Sequence, residues 1–126
     1  MSRLISALNV MVEHPKEITA VASSEKEYYF LYKGKYVWSL REDAAEGYWL
    51  YFYPNEKSPK RLAEISADDP EAWAAIEFVT YKGSDFKSRE ARETFSSLLL
   101  LLKEKASGME AVFDDILGND IDEVPF

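Results

Sequence analysis

Residues 27–53 read EYYFLYKGKYVWSLREDAAEGYWLYFY. Three runs of Tyr, Trp, Phe, Val and Leu are separated by Lys33-Gly34-Lys35 and by the polar stretch 43–47. Aromatic and β-branched side chains suit a pleated, half-buried surface, so the spacing predicts strands over 27–33, 36–41 and 48–53. Gly34 tolerates positive φ and predicts a tight hairpin between the first two. Eleven rings fall in this one stretch, so its two faces decide what the sheet buries and what it offers.

Side chains alternate along a strand. With a two-residue loop at Gly34, even positions of the first strand share a face with odd positions of the second. One face then carries Tyr29, Leu31, Tyr36, Trp38 and Leu40 and reads as core. The other carries Tyr28, Phe30, Tyr32, Lys35, Val37, Ser39 and Arg41. In the third strand Leu50 and Phe52 suit the core face, which leaves Trp49, Tyr51 and Tyr53 with the cations. Rings mixed with Lys and Arg suit single-stranded nucleic acid, because bases stack on aromatic planes while cations meet phosphate. The candidate nucleic-acid-binding residues are therefore Tyr28, Phe30, Tyr32, Lys35, Arg41, Trp49, Tyr51 and Tyr53. The competing expectation is that Tyr, Trp and Phe simply favour strands and that helices bury this face too.

Outward from the sheet, Leu4, Ile5, Leu8, Met11 and Val12 recur at helical spacing within residues 2–13, with Ser2 placed to cap and Pro15 following. Residues 18–23 predict a short strand. Pro54 to Pro59 breaks the sheet. Residues 60–65 and 70–75 predict short helices, the second capped by Asp69 with Pro70 in its first turn. Residues 76–82 predict a further strand. Over 88–105, Ala91, Phe95, Leu98, Leu99, Leu102 and Ala106 form an apolar stripe. Ser107-Gly108 ends or bends that helix, and 109–117 predicts a last one. The expected fold is α+β: a four- or five-stranded antiparallel sheet with helices on at least one face. The strand order does not suggest an OB barrel. One domain is expected over 1–118, with a flexible acidic tail over 119–126. The leucine run 98–102 covers more than one helix side, which predicts burial in the core or at a homodimer interface.

The composition narrows the chemistry. There are 126 residues, 47% hydrophobic, with no cysteine and one histidine. A chain of that size can bury a real core. Disulfides, thiolate metal sites and cysteine nucleophiles are excluded. His14 precedes Pro15 at a helix end, where it suits a C-terminal cation. No Gly-x-Ser-x-Gly or phosphate-binding loop occurs, and the spacing of Asp114, Asp115, Asp120 and Asp122 does not match an EF-hand. Neither catalytic residues, nor a cofactor, nor a metal is expected. Residues 1–8 lack the apolar run of a signal peptide, and 98–102 is too short to span a membrane, so a cytoplasmic protein is expected.

The net charge is −8, and residues 110–126 hold six acids and no base, which leaves −2 on the rest of the chain. The acids end in Asp120-Ile121-Asp122-Glu123-Val124-Pro125-Phe126. This stretch resembles the acidic C-terminal tip of bacterial single-stranded DNA-binding proteins. The resemblance covers about seven residues, and nothing in the body carries it further. In that family the tip is a mobile peptide whose Phe ring and carboxylate enter a basic-rimmed apolar pocket on replication and repair proteins. The resemblance thus implies partner docking by Asp120, Asp122, Glu123, Pro125 and Phe126. The expected function is binding of single-stranded nucleic acid, DNA favoured over RNA, with no enzymatic activity. The alternative is an acidic protein-interaction module, such as an inhibitor, immunity or adaptor protein, since Tyr, Trp and Arg also dominate protein interfaces.

Overall fold

The computed structural model describes the backbone of residues 2–123, and side chains except those of Glu110 and residues 119–123. The chain is α+β. Five strands, β1 (Ile18–Ser24), β2 (Glu27–Tyr32), β3 (Tyr36–Asp43), β4 (Gly47–Tyr53) and β5 (Val79–Lys82), pair in sequence order as an open antiparallel sheet. Helices cover both faces, so the sheet is the middle of three layers. α1 (Arg3–Glu13) and α4 (Arg89–Ala106) lie on one face; α2 (Pro59–Asp68) and the short α3 (Pro70–Ala74) lie on the other.

The helices start where short polar side chains can accept from the first free N–H groups. Ser2 accepts from Ile5, Ser58 from Arg61, Asp69 from Ala72 and Ser88 from Ala91, each at 3.1 Å. Pro59 and Pro70 occupy first-turn positions, where a missing N–H costs nothing. The α1 stripe of Ile5, Leu8 and Met11 meets the α4 stripe of Ala91, Phe95, Leu98, Leu99 and Leu102 over the sheet. Thr94 of α4, itself buried, donates to Asn9 Oδ1 of α1 at 2.6 Å and ties the two together. His14 bonds the Val10 carbonyl at 2.8 Å at the end of α1, as its position suggests.

The β2–β3 hairpin departs from the expected register. Lys33 and Gly34 both take positive φ (56° and 69°), and Lys35 adds a third loop residue, so the ladder closes on Tyr32↔Tyr36. A two-residue loop would have closed one position earlier. Because side chains alternate, that one residue moves the whole of β2 to the opposite face relative to β3. Tyr28, Phe30 and Tyr32 therefore join Trp38, Leu40 and Leu50 under α1 and α4, while Tyr29 and Leu31 join Val37 and Tyr53 under α2 and α3. The β3–β4 face assignment is as predicted, and the register sets Trp38↔Phe52 and Leu40↔Leu50 on one face and Ser39↔Tyr51 and Arg41↔Trp49 on the other.

Two boundaries also differ. The last strand starts at Val79, three residues later than expected, because Ile76 packs into the α2–α3 core instead. Gly108, with φ of 80°, ends α4, and α5 (Met109–Glu123) then runs past Gly118-Asn119, where the tail was expected to begin. A glycine inside a helix costs only about 1 kcal/mol relative to alanine, which flanking helix formers absorb. The side chains of Asp120, Asp122 and Glu123, and residues Val124, Pro125 and Phe126, lie outside the described residues. No helix among the described residues is long and apolar enough to cross a membrane.

Candidate functional site

The eight residues expected to form one nucleic-acid platform are divided by the sheet. Phe30, Tyr32 and Tyr53 are buried, and Tyr28 is packed against the α1–α4 core. Lys35 sits exposed at the hairpin tip, its Nζ 5.2 Å from the Tyr36 ring, at the far end of β3 from Arg41. Arg41, Trp49 and Tyr51 do come together, half-buried, on the face that α2 and α3 only partly cover.

Strand register builds this remaining group. Glu27, Arg41, Trp49 and Lys82 stand opposite one another across β2, β3, β4 and β5. Tyr29, Ser39, Tyr51 and Thr80 form the next row. Side chains directly opposite in an antiparallel ladder are neighbours, so the rows become contacts. The Arg41 guanidinium lies 5.2 Å from the Trp49 ring centroid, and Lys82 Nζ lies 4.9 Å from the same ring. Trp49 and Tyr51 are near-parallel, with centroids 6.5 Å apart, and the exposed Phe78 meets Tyr51 edge-on at 5.6 Å. Arg41 also donates to the Tyr51 hydroxyl at 3.3 Å. The Trp49 indole N–H is enclosed without a hydrogen-bond partner.

Beside this ladder lies a buried polar network. Ser39 donates to Glu27 Oε2; the Tyr53 hydroxyl is 2.7 Å from Ser39 Oγ and 3.4 Å from the same Oε2. Ser39 and Tyr53 are almost wholly enclosed. Burial raises the Glu27 carboxyl above its ordinary range, against the opposing pull of Ser39, Arg41 and Tyr53. Burial also pushes the Tyr29 hydroxyl up to about 12 and the Tyr53 hydroxyl further in the same direction. Asp43 is held below its usual value by the backbone N–H groups of Ala45 and Glu46, which close the β3–β4 loop. Glu27, Ser39 and Lys82 were not among the expected site residues. The available signal was the alternation of β3 and β4, which already put Ser39 beside Arg41.

A second surface is apolar. On α5, Val112, Phe113, Ile116 and Leu117 recur along one helix side and are between 42% and 59% exposed. That is unlike the apolar stripes of α1 and α4, which the sheet covers. Asp114 and Asp115 stand exposed on the same helix. Comparison of the chain with protein families, curated proteins and solved structures returns no match.

Proposed function

We propose that the chain is a non-enzymatic cytoplasmic adaptor that docks proteins of DNA replication or repair through its C-terminal segment. The observation that supports this reading is the open apolar side of α5. Four large apolar residues left uncovered in consecutive turns fit the helix-in-groove mode, in which the apolar face of a helix enters a partner's groove. The neighbouring acids call for a groove with a basic rim. A second copy of this chain would set acid against acid. The sequence of α5 continues into 120–126, whose resemblance to the tips of single-stranded DNA-binding proteins implies the same partner chemistry, with Phe126 as a further apolar anchor.

The test compares wild type with Ile116→Asp, Leu117→Asp and a deletion of Phe126. Proteins captured by wild type are identified, purified and titrated against each variant. The expected result is a captured DNA-processing protein that binds wild type directly, with affinity that falls as salt rises. It should bind Ile116→Asp about tenfold or more weakly, while all variants keep the wild-type unfolding midpoint. Equal binding by wild type and variants, or no purified protein that binds, would reject the docking role.

The Arg41–Trp49–Tyr51–Lys82 ladder favours a second reading, binding of single-stranded nucleic acid on a smaller platform than expected. It offers two cations and three rings counting Phe78. Against it, Arg41 already lies 4.0 Å from Glu27 and 3.9 Å from Asp43. Titration of labelled oligo-dT at two salt concentrations, with duplex as control, tests it. On this reading Trp49→Ala weakens binding by about 1–3 kcal/mol, the worth of one stacked base. No affinity at low salt removes the reading.

A further inference from the structure

Between the β1–β2 turn, the β3–β4 loop and the α2–α3 layer lies a cleft of about 660 Å³. Glu27, Tyr29 and Arg41 contribute to it from the sheet, and Trp73 from α3. The two carboxylate oxygens of Glu27 are unequally served. Oε2 is the acceptor for both Ser39 and Tyr53. Among the described residues Oε1 has only Arg41 Nε, at 4.0 Å, which is beyond hydrogen-bond distance. Arg41 is held where it is by the Trp49 ring, the Tyr51 hydroxyl and Asp43. The Glu27 side chain is 17% exposed and lines the cleft, and its Oε1 is not among the enclosed polar atoms, so it stays open to a donor entering there.

The surroundings indicate which donor. Glu25 and Asp43 line the cleft beside Glu27, against Lys26 and Arg41, so its net charge is negative. Tyr29 and Trp73 meet edge-to-face at 6.4 Å and supply aromatic surface, which attracts a cation and not an anion. We propose that this cleft binds an organic cation, an ammonium or guanidinium group, that donates to Glu27 Oε1 and rests against Trp73. The buried Ser39–Tyr53 pair is then the support that fixes the carboxylate, as a preorganised site requires. The cleft is built from elements other than α5, so this proposal stands or falls separately from the docking role.

Calorimetric titration of the full chain tests it, using agmatine and lysine methyl ester as free amines, and an acetyl-Gly-Arg-Gly-amide peptide as a protein side chain. At least one is expected to bind with Kd of about 1 mM or tighter. Tighter binding of the peptide identifies a partner's side chain as the source; tighter binding of the amines identifies a small molecule. Glu27→Gln keeps the shape and removes the charge, and should weaken binding about tenfold or more. If that variant does not fold, Glu25→Lys carries the test. It changes an exposed residue and should weaken binding about threefold or more by reversing a charge at the cleft. No binding up to roughly 10 mM, unchanged affinity in Glu25→Lys, or displacement of the cation by inorganic phosphate would overturn the proposal.

Discussion

Phe30→Ala is expected to destabilise the fold by about 3–5 kcal/mol. The ring is fully enclosed, opposite Trp38 in the β2–β3 ladder and within the core that α1 and α4 close. Trp38 in turn lies 4.8 Å from Phe52, so the row Phe30–Trp38–Phe52 runs across three strands beneath the helices. Removing one ring of such a packed layer leaves a cavity that neighbours on rigid strands cannot collapse into. Urea unfolding followed by fluorescence measures the loss. A residue that served as a base-stacking platform would give a different result: a small stability change and a large loss of oligo-dT affinity. A loss below about 1 kcal/mol would mean that the ring is not enclosed, and would return Phe30 to the candidate nucleic-acid surface.

The contrast shows what was legible in the sequence. The helix starts were, because a capping side chain and a proline in the first turn act over three or four residues. Ser2 and Asp69 with Pro70 needed only local chemistry. The β3–β4 face assignment was also legible, since Leu40 and Leu50 leave one self-consistent alternation, and it brought Arg41, Trp49 and Tyr51 together. The β2–β3 register was not. Lys33-Gly34-Lys35 supports a loop of two residues or of three with equal local chemistry, and the choice reverses a whole strand. Tertiary packing made it: the three-residue loop puts Phe30 with Leu40 and Leu50, and leaves Glu27 beside Ser39 and Arg41. The second helix layer was hidden for a related reason. α2 carries charges at Lys60, Arg61, Glu64 and Asp68 and buries only Pro59, Leu62 and Ala63, so its sequence does not announce a core-facing side. The Glu27 network was invisible because it joins residues 27, 39 and 53, which only the register brings together.

Leu98 and Leu100 supply the other large effect, through their difference. Leu98→Ala is expected to cost about 2–5 kcal/mol, and Leu100→Ala to stay within roughly 0.5 kcal/mol of wild type. The two stand two residues apart on α4, which at 3.6 residues per turn places them on opposite sides of the helix. Leu98 is fully enclosed with Leu102 and Phe95, whereas Leu100 is 59% exposed. The leucine run was expected to need either a core or a subunit interface. The fold itself encloses Leu98, Leu99 and Leu102, so a homodimer is not required to cover them. Of the leucine run, Leu100 is left exposed for an interface, along with the apolar side of α5, and the acids on α5 oppose pairing like with like. Light scattering should therefore give a monomer whose mass does not change with concentration, in wild type and in Leu100→Ala alike. A wild-type dimer that Leu100→Ala dissociates would place a second copy on this face. It would also make the apolar side of α5 a self-association surface and remove the main support for the adaptor reading.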